Sequence, residues 1–311
     1  SHYTAYREPV DGESIMTYLF GPVPSRRLGI SLGVDLAPYK TCTLDCTYCQ
    51  LGRTTDLTLA REVRVPPGEV LQEIESRSGD DFDYLTLAGS GEPTLQADLD
   101  VIIKGAKNVV DKPVAVLTNG TLFTSPVVRR EVAEADLIIP SLDAATQSTF
   151  EKVNRPHPAL RIDRIIEGLK ALRAEFEGEI WLEVMLVKGL NDQEADHIAE
   201  AAERIGPDRV QLNTVVRPPT DPVQPLSSDE MNDMLEVFSG AEVIADWKRG
   251  TAGDTEYHIL ALLSRRPCTL DELSALTGLH RNEVLKYLEV MESAEKIVRL
   301  QHGDRLYFRP S

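Results

Sequence analysis

Cysteine is scarce in this chain of 311 residues, which contains four. Four cysteines do not make the disulfide framework of a secreted scaffold, and three of them lie so close together that they cannot all pair with one another. Membrane-spanning sequence is missing too. No apolar run approaches the roughly 20 residues that cross a bilayer, and the N-terminus lacks the charged-then-apolar pattern of a signal peptide. These absences point to a reducing, cytoplasmic setting with no membrane partner. Basic charge is in deficit, with 33 Lys and Arg against 50 Asp and Glu and a net charge of −17. That balance opposes non-specific binding to a polyanion and leaves room only for a local basic patch. Apolar content is ordinary for a globular protein, and the length suits one large domain plus a small one.

What stands out against this background is Cys42, Cys46 and Cys49, spaced C-x3-C-x2-C. Thiolates this close in one loop hold a soft metal. An iron–sulfur cluster with three protein ligands keeps one iron open to a small molecule. Zinc is the alternative, either closed by four ligands or catalytic with three and a water. No fourth Cys or His stands nearby, since the first His after the motif is His157.

A Gly- and Pro-containing loop over 20–29 and a strand over 30–36 lead into the motif. Afterwards strands are expected at 84–88, 114–117, 137–141, 181–187 and 210–215. Helices at 66–77, 95–110, 126–134, 162–176 and 192–204 alternate with them. The helix over 162–176 has the clearest periodicity, with Ile162, Ile165, Ile166, Leu169, Leu172 and Phe176 on one face. Right-handed crossovers make the six strands parallel, and six are too few to close an eight-stranded barrel. The class is therefore α/β. The boundaries expected are a lead-in over 1–29, the βα core over 30–216, a linker and covering extension over 217–250, and a small domain over 251–311. In parallel α/β barrels, working residues sit on loops at the C-terminal ends of strands, where the cysteine motif lies.

The cysteine spacing, with Tyr48 just before the last thiol, resembles the signature of radical S-adenosylmethionine (SAM) enzymes. The resemblance implies that Cys42, Cys46 and Cys49 ligate a [4Fe-4S] cluster and that SAM chelates the remaining iron. One electron from the cluster would then cleave SAM to methionine and a 5′-deoxyadenosyl radical that abstracts hydrogen from a substrate. It also implies an open (β/α)6 partial TIM barrel and an electron donor such as ferredoxin or flavodoxin. Gly89-Ser90-Gly91-Glu92 resembles the GGEP motif of the superfamily, which implies a turn that holds the SAM amino group; a Gly-rich strand-to-helix turn with Glu92 as a charge at the helix start is the alternative. The stretch from Ser141 through Asp143 to Arg155 resembles that of glycyl-radical-enzyme activases, implying SAM contacts at Ser141 and Asp143, with helix capping as the alternative. Arg155 is a weaker carboxylate candidate. Asn119 is a further contact or a turn residue. Glu183, among apolar neighbours, meets a ligand or an internal partner. Asn213, sharing a strand face with Gln211, lies near adenine or substrate or forms a polar pair. Arg26 and Arg27 reach a substrate anion or lie on a solvated turn, and Lys188 is a loop cation.

The segment leading into the cysteines resembles the tRNA wybutosine-synthesis radical enzymes, whose second cysteine cluster this chain cannot form. Beyond a Pro-rich stretch starting at Arg217, the order helix 256–264, helix 270–276, helix 282–293 and two strands about 303 resembles a winged helix-turn-helix. Arg281, Asn282 and Lys286 lie on its presumed recognition helix, yet residues 251–311 carry eight Lys and Arg against nine Asp and Glu. Without a basic face, genomic DNA is a poor partner. A protein substrate is expected first and tRNA second, with a metal-sensing DNA-binding regulator as the non-enzymatic alternative. Cys268 is expected as a small buried hydrophobe.

Overall fold

Short runs of fully buried aliphatic residues build the sheet. The computed structural model describes residues 18–215, 219–244, 256, 259, 260, 263, 268–277, 279, 281–302 and 305–311. In chain order the elements are β1 (Leu19–Ser25), β2 (Gly29–Val34), β3 (Thr41–Cys42), β4 (Asp56–Leu57), α1 (Pro67–Ser76), β5 (Tyr84–Leu87), α2 (Leu99–Val109), β6 (Val114–Thr118), α3 (Pro126–Glu131), β7 (Leu137–Pro140), α4 (Gln147–Val153), α5 (Ile162–Glu175), β8 (Glu179–Leu186), α6 (Ala195–Ile205), β9 (Arg209–Thr214), α7 (Ser228–Val237), β10 (Glu242–Val243), β11 (Cys268–Thr269), α8 (Leu270–Thr277), α9 (Arg281–Ser293), β12 (Ile297–His302) and β13 (Arg305–Pro310). They group into two compact units: residues 18–19 with 32–244, and residues 20–31 with the described residues from 256 onward.

In the first unit the sheet order is β2-β5-β6-β7-β8-β9-β10. From β5 to β10 every pairing is parallel, for example Leu87 opposite Val116, Val116 opposite Ile138 and Val184 opposite Leu212. Helices connect these strands, and β5, β6 and β7 are buried almost throughout, reading as near-continuous apolar runs rather than alternation. The α/β class and the parallel sheet are thus as the pattern predicts. Ile162, Ile165, Ile166, Leu169 and Leu172 of α5 are all buried, each contributing about 1.5–3 kcal/mol by leaving water.

Two helices differ from the expected pattern. The helix expected over 95–110 is interrupted: Pro93–Leu95 is a 3-10 turn, and α2 starts only at Leu99, after Asp98 at φ 58°. Gln96 causes this by turning inward, its Oε1 accepting from the Arg64 and Val65 N–H groups and its Nε2 donating to the Val65 carbonyl. α4 escapes the periodicity because only Phe150 and Val153 give it an apolar stripe; its N-cap, Thr146, accepts from Thr149 N–H.

In the second unit, β11, β13 and β12 form an antiparallel sheet, with Cys268 opposite Phe308 and Leu300 opposite Tyr307. α8 and α9 precede its hairpin. Cys268, Leu273, Val284, Leu288, Met291 and Phe308 share its core, so Cys268 packs as a small hydrophobe. Of the helix expected over 256–264, Glu256, Ile259, Leu260 and Leu263 are described and helical. The rest of that helix, Arg217 and Gly303 lie outside the described residues.

The tie between the loop after β8 and α7 is electrostatic. Ser227 and Glu230 form a capping box at the start of α7, and Lys188 Nζ stands 2.6 Å from Glu230 Oε1. The Lys188 ammonium and the Ser227 N–H hold the Glu230 carboxyl down at about 2. A depressed carboxyl stabilises the fold above its unfolded value near 4.3 and ceases to do so as pH falls toward 2. The stability gap between wild type and Glu230→Gln, followed by urea denaturation, is expected to shrink from pH 5 to pH 2. A gap constant across that window contradicts the tie.

Candidate metal and cofactor site

The cysteine loop is bound like an extra strand. Thr41 and Cys42 pair in parallel with Asp56 and Leu57, and from Thr43 onward the loop runs antiparallel to the segment after α4. His157 N–H donates to the Thr43 carbonyl (2.9 Å), Asp45 N–H to the Asn154 carbonyl (3.0 Å) and Thr47 N–H to the Val153 carbonyl (2.9 Å). Cys49 N–H closes the turn onto the Cys46 carbonyl at 3.1 Å. Three ladder bonds in alternation fix which side chains point toward the sheet.

Each thiol meets one side-chain nitrogen donor, and each of these donors comes from a different place. Asn119 Nδ2, just past β6, lies 3.5 Å from Cys42 Sγ; Asn154 Nδ2, the C-cap of α4, lies 3.3 Å from Cys46 Sγ; Lys40 Nζ, before β3, lies 3.1 Å from Cys49 Sγ. The three cysteines are partly exposed and form no disulfide. Burial nevertheless pushes the Cys42 thiol up to about 11 and raises Cys46 further. A thiol raised by burial favours its neutral form, and a bound cation offsets that cost for the thiolate. Among the described residues, no group of three or more His, Cys, Asp and Glu forms a ready cage for one metal ion. The fit of an iron–sulfur group therefore rests on the donor set: three thiols in one loop, each with an N–H donor to a sulfur.

Asp143 occupies the centre of the support. It is buried, and its carboxylate accepts from Tyr48 Oη, Asn154 Nδ2 (2.7 Å) and Met185 N–H (3.0 Å). Burial raises it to about 6. The Asp143 side chain joins the loop to β8. Capping is not its occupation, since Thr146 caps α4. Tyr48, expected near the cofactor, points its hydroxyl at this carboxylate.

Glu92 is likewise engaged by the protein. Thr94 N–H and Oγ1, Thr118 Oγ1 and Asn119 N–H all donate to it, and it is 2% exposed. Three of these donors meet Oε1 and one meets Oε2, so the carboxylate is held mainly by the protein around it. The turn itself is held against the loop. Glu92 N–H donates to the Thr41 carbonyl at 3.0 Å, and a Cβ on Gly91 would lie 2.1 Å from that oxygen. Ser90 N–H and Oγ bind Asp35 at 3.0 and 2.5 Å, and Gly89, at φ 143°, has Asp35 where its Cβ would stand.

Asn119, Ser141 and Asp143 line one small cavity with Asn154 and Leu44. The positive φ of the turn after β6 belongs to Gly120 at 75°, which frees Asn119 to bind Thr43 Oγ1 at 2.8 Å. Glu183 accepts from Asn213 Nδ2 at 2.8 Å and its backbone forms a β-bridge with that of Ser141, so Ser141 just past β7, Glu183 within β8 and Asn213 near the end of β9 are neighbours across the sheet. Gln211 instead binds Glu242. Arg155 is anchored within the protein by two of its nitrogens: its Nε donates to the Asp45 carbonyl (2.7 Å) and its Nη1 to Asp221 (2.6 Å), while its buried Nη2 has no protein partner. Arg26 and Arg27 belong to the second unit and have partners there or elsewhere.

The sequence pattern does not reveal Lys40, Asn154 or Asp221 as supports. Asn154 and Lys40 lie close enough to the motif and its flanking segment to be searched for donors. Asp221 has no such signal, because it meets the loop across a long sequence separation. The Pro-rich stretch there is no free spacer: Thr220 Oγ1 donates to the Cys49 carbonyl at 2.6 Å, Asp221 N–H to the Thr47 carbonyl at 3.0 Å, and Arg53 bridges Asp221 and Asp45.

The model of the radical SAM superfamily matches residues 36–202. A UPF0026 protein of Methanocaldococcus jannaschii is 31% identical over 313 residues, covering 94% of this chain and 96% of that protein. A protein named GTPase Obg from Brachyspira hyodysenteriae is 36% identical over 294 residues; the match takes in 90% of this chain but only 43% of the relative. A radical SAM methyltransferase from Sphaerobacter thermophilus has a similar fold, with TM-score 0.53 and 19% identity over 71% of this chain and 67% of that one.

Gly91→Ala is expected to displace the turn from Thr41 and to lower stability in urea by about 1–3 kcal/mol. Gly68→Ala, where a Cβ meets nothing within 4 Å, serves as the control and is expected to be neutral or stabilising. Equal stability of the two variants contradicts the close approach.

Proposed function

This chain belongs to the radical SAM superfamily, and from that premise we propose that Cys42, Cys46 and Cys49 are the cluster ligands of an enzyme that abstracts hydrogen from a protein substrate. As a radical SAM enzyme it uses a [4Fe-4S] cluster and SAM. The cluster, when bound and reduced by an electron-donor protein, supplies one electron for cleavage of SAM to a 5′-deoxyadenosyl radical. The chain's own residues hold and orient. Asn119, Asn154 and Lys40 place one N–H donor on each ligand sulfur, and Asp143 fixes Tyr48 and Asn154 behind them. Gly89 to Glu92 offer backbone rather than carboxylate to the SAM amino group, because Glu92 is already bonded. Ser141, Glu183 and Asn213, neighbours across β7, β8 and β9, form the polar wall for the rest of the nucleotide. The reading takes the parallel sheet as an open (β/α)6 partial barrel. The single observation that carries it is the convergence of three separate nitrogen donors on three thiols of one loop.

The second unit is read as a winged helix that docks the substrate. Arg281 is paired with Asp271 and Arg299 with Glu292, and Asn282 and Lys286 already have partners. Cations engaged within the unit support a protein substrate over tRNA or genomic DNA. Anaerobic reconstitution with iron, sulfide, reductant and SAM is expected to release 5′-deoxyadenosine, and Cys46→Ala is expected to abolish the release. Product from Cys46→Ala at the wild-type rate sinks the ligand assignment.

A further inference from the structure

Lys40 is a buried cation for which the reading above finds only a holding role. It is 4% exposed, and an ammonium removed from water is unfavourable unless an anion meets it. Among the described residues no carboxylate pairs with it; its Nζ stands 3.1 Å from Cys49 Sγ. The backbone is fixed around that aim. Lys40 has φ 56°, a left-handed conformation that a long side chain adopts only when its surroundings enforce it. The enforcement comes from two sides. Lys40 N–H donates to the Ser90 carbonyl at 2.7 Å, and the Lys40 carbonyl accepts from Thr55 N–H at 3.0 Å and Asp56 N–H at 3.3 Å. The glycine-rich turn and the strand opposite Thr41 thus clamp one strained residue so that its charge faces the thiols.

Resting on the assignment of Cys42, Cys46 and Cys49 as cluster ligands, we propose that Lys40 acts through Cys49 Sγ to raise the reduction potential of the cluster. Net charge and hydrogen bonds to the sulfurs set such potentials. In the reduction, a low-potential electron-donor protein loses one electron and the cluster gains it. No bond would form or break. The added negative charge lies beside three thiolates, and a fixed ammonium in a poorly solvated site favours that more negative state. Neutral amides at Cys42 and Cys46 supply hydrogen bonds without charge, so Lys40 is the group that sets this balance among the three donors.

The test is a redox titration followed by electron paramagnetic resonance, without SAM, on reconstituted full-length wild type, Lys40→Met, Lys40→Gln and Lys40→Arg, with iron and sulfide counted in each. Lys40→Met and Lys40→Gln are expected to show a reduced-to-oxidised ratio about tenfold lower at a fixed potential, equivalent to about 59 mV for one electron. Lys40→Arg is expected to stay near wild type. Full iron content with a wild-type potential in Lys40→Met and Lys40→Gln overturns the proposal, with or without weakened SAM binding. Loss of iron in all three variants overturns it as well, making Lys40 a scaffold of the loop. Wild-type protein that takes up no cluster sinks the ligand assignment instead, a separate result.

Discussion

Three thiols placed side by side in a short loop, partly shielded from water, are stable as metal ligands only if the protein supplies donors and a rigid frame. The frame here is the antiparallel ladder between residues 43–47 and 153–157. It ties the loop to the end of α4, and the C-cap of that helix, Asn154, reaches Cys46. Asp143 then couples the arrangement to β8 through Met185 N–H. Because every donor is anchored on a different element, the thiols keep their positions only when the whole parallel sheet is assembled, so folding and the capacity to hold a cluster are linked.

The glycine-rich turn and the Pro-rich stretch close the frame from opposite sides. Gly91 permits the Glu92 N–H to reach Thr41, and Thr220 and Asp221 bind the carbonyls of Cys49 and Thr47. The alternating charges of Arg53, Asp45, Arg155 and Asp221 hold that second contact. Asp45 lies between two of the cysteines, so this network acts directly on the cysteine loop. Partly exposed pairs of this kind contribute little singly, and their value lies in the geometry they share.

Much of this was legible in the residues, and the exceptions have physical causes. The six-strand order and the face of α5 followed from buried aliphatic runs and 3.6-residue periodicity, which depend on local composition. The cysteine spacing is equally local. Side-chain destinations are not. Glu92 and Asp143 carry the residue type of a ligand contact, yet the hydroxyls and N–H groups that satisfy them come from Thr118, Asn119, Tyr48 and Met185, brought near only by the fold. Arg155 reads as an anion-binding cation, and its partner Asp221 lies beyond β9. Lys40 had no signal beyond its proximity to Cys42, because a buried lysine and an exposed one look alike in a sequence. The second unit's α8, α9 and hairpin were equally visible, whereas the pairing of its cations required the packed core.

The central claim is that three cysteines leave one iron for SAM. Mössbauer spectroscopy of protein loaded anaerobically with isotopically enriched iron tests it most directly. The account predicts one iron site distinct from the other three, with parameters that move when SAM is added. Four equivalent sites indifferent to SAM, or a protein that retains zinc in place of iron, would contradict it.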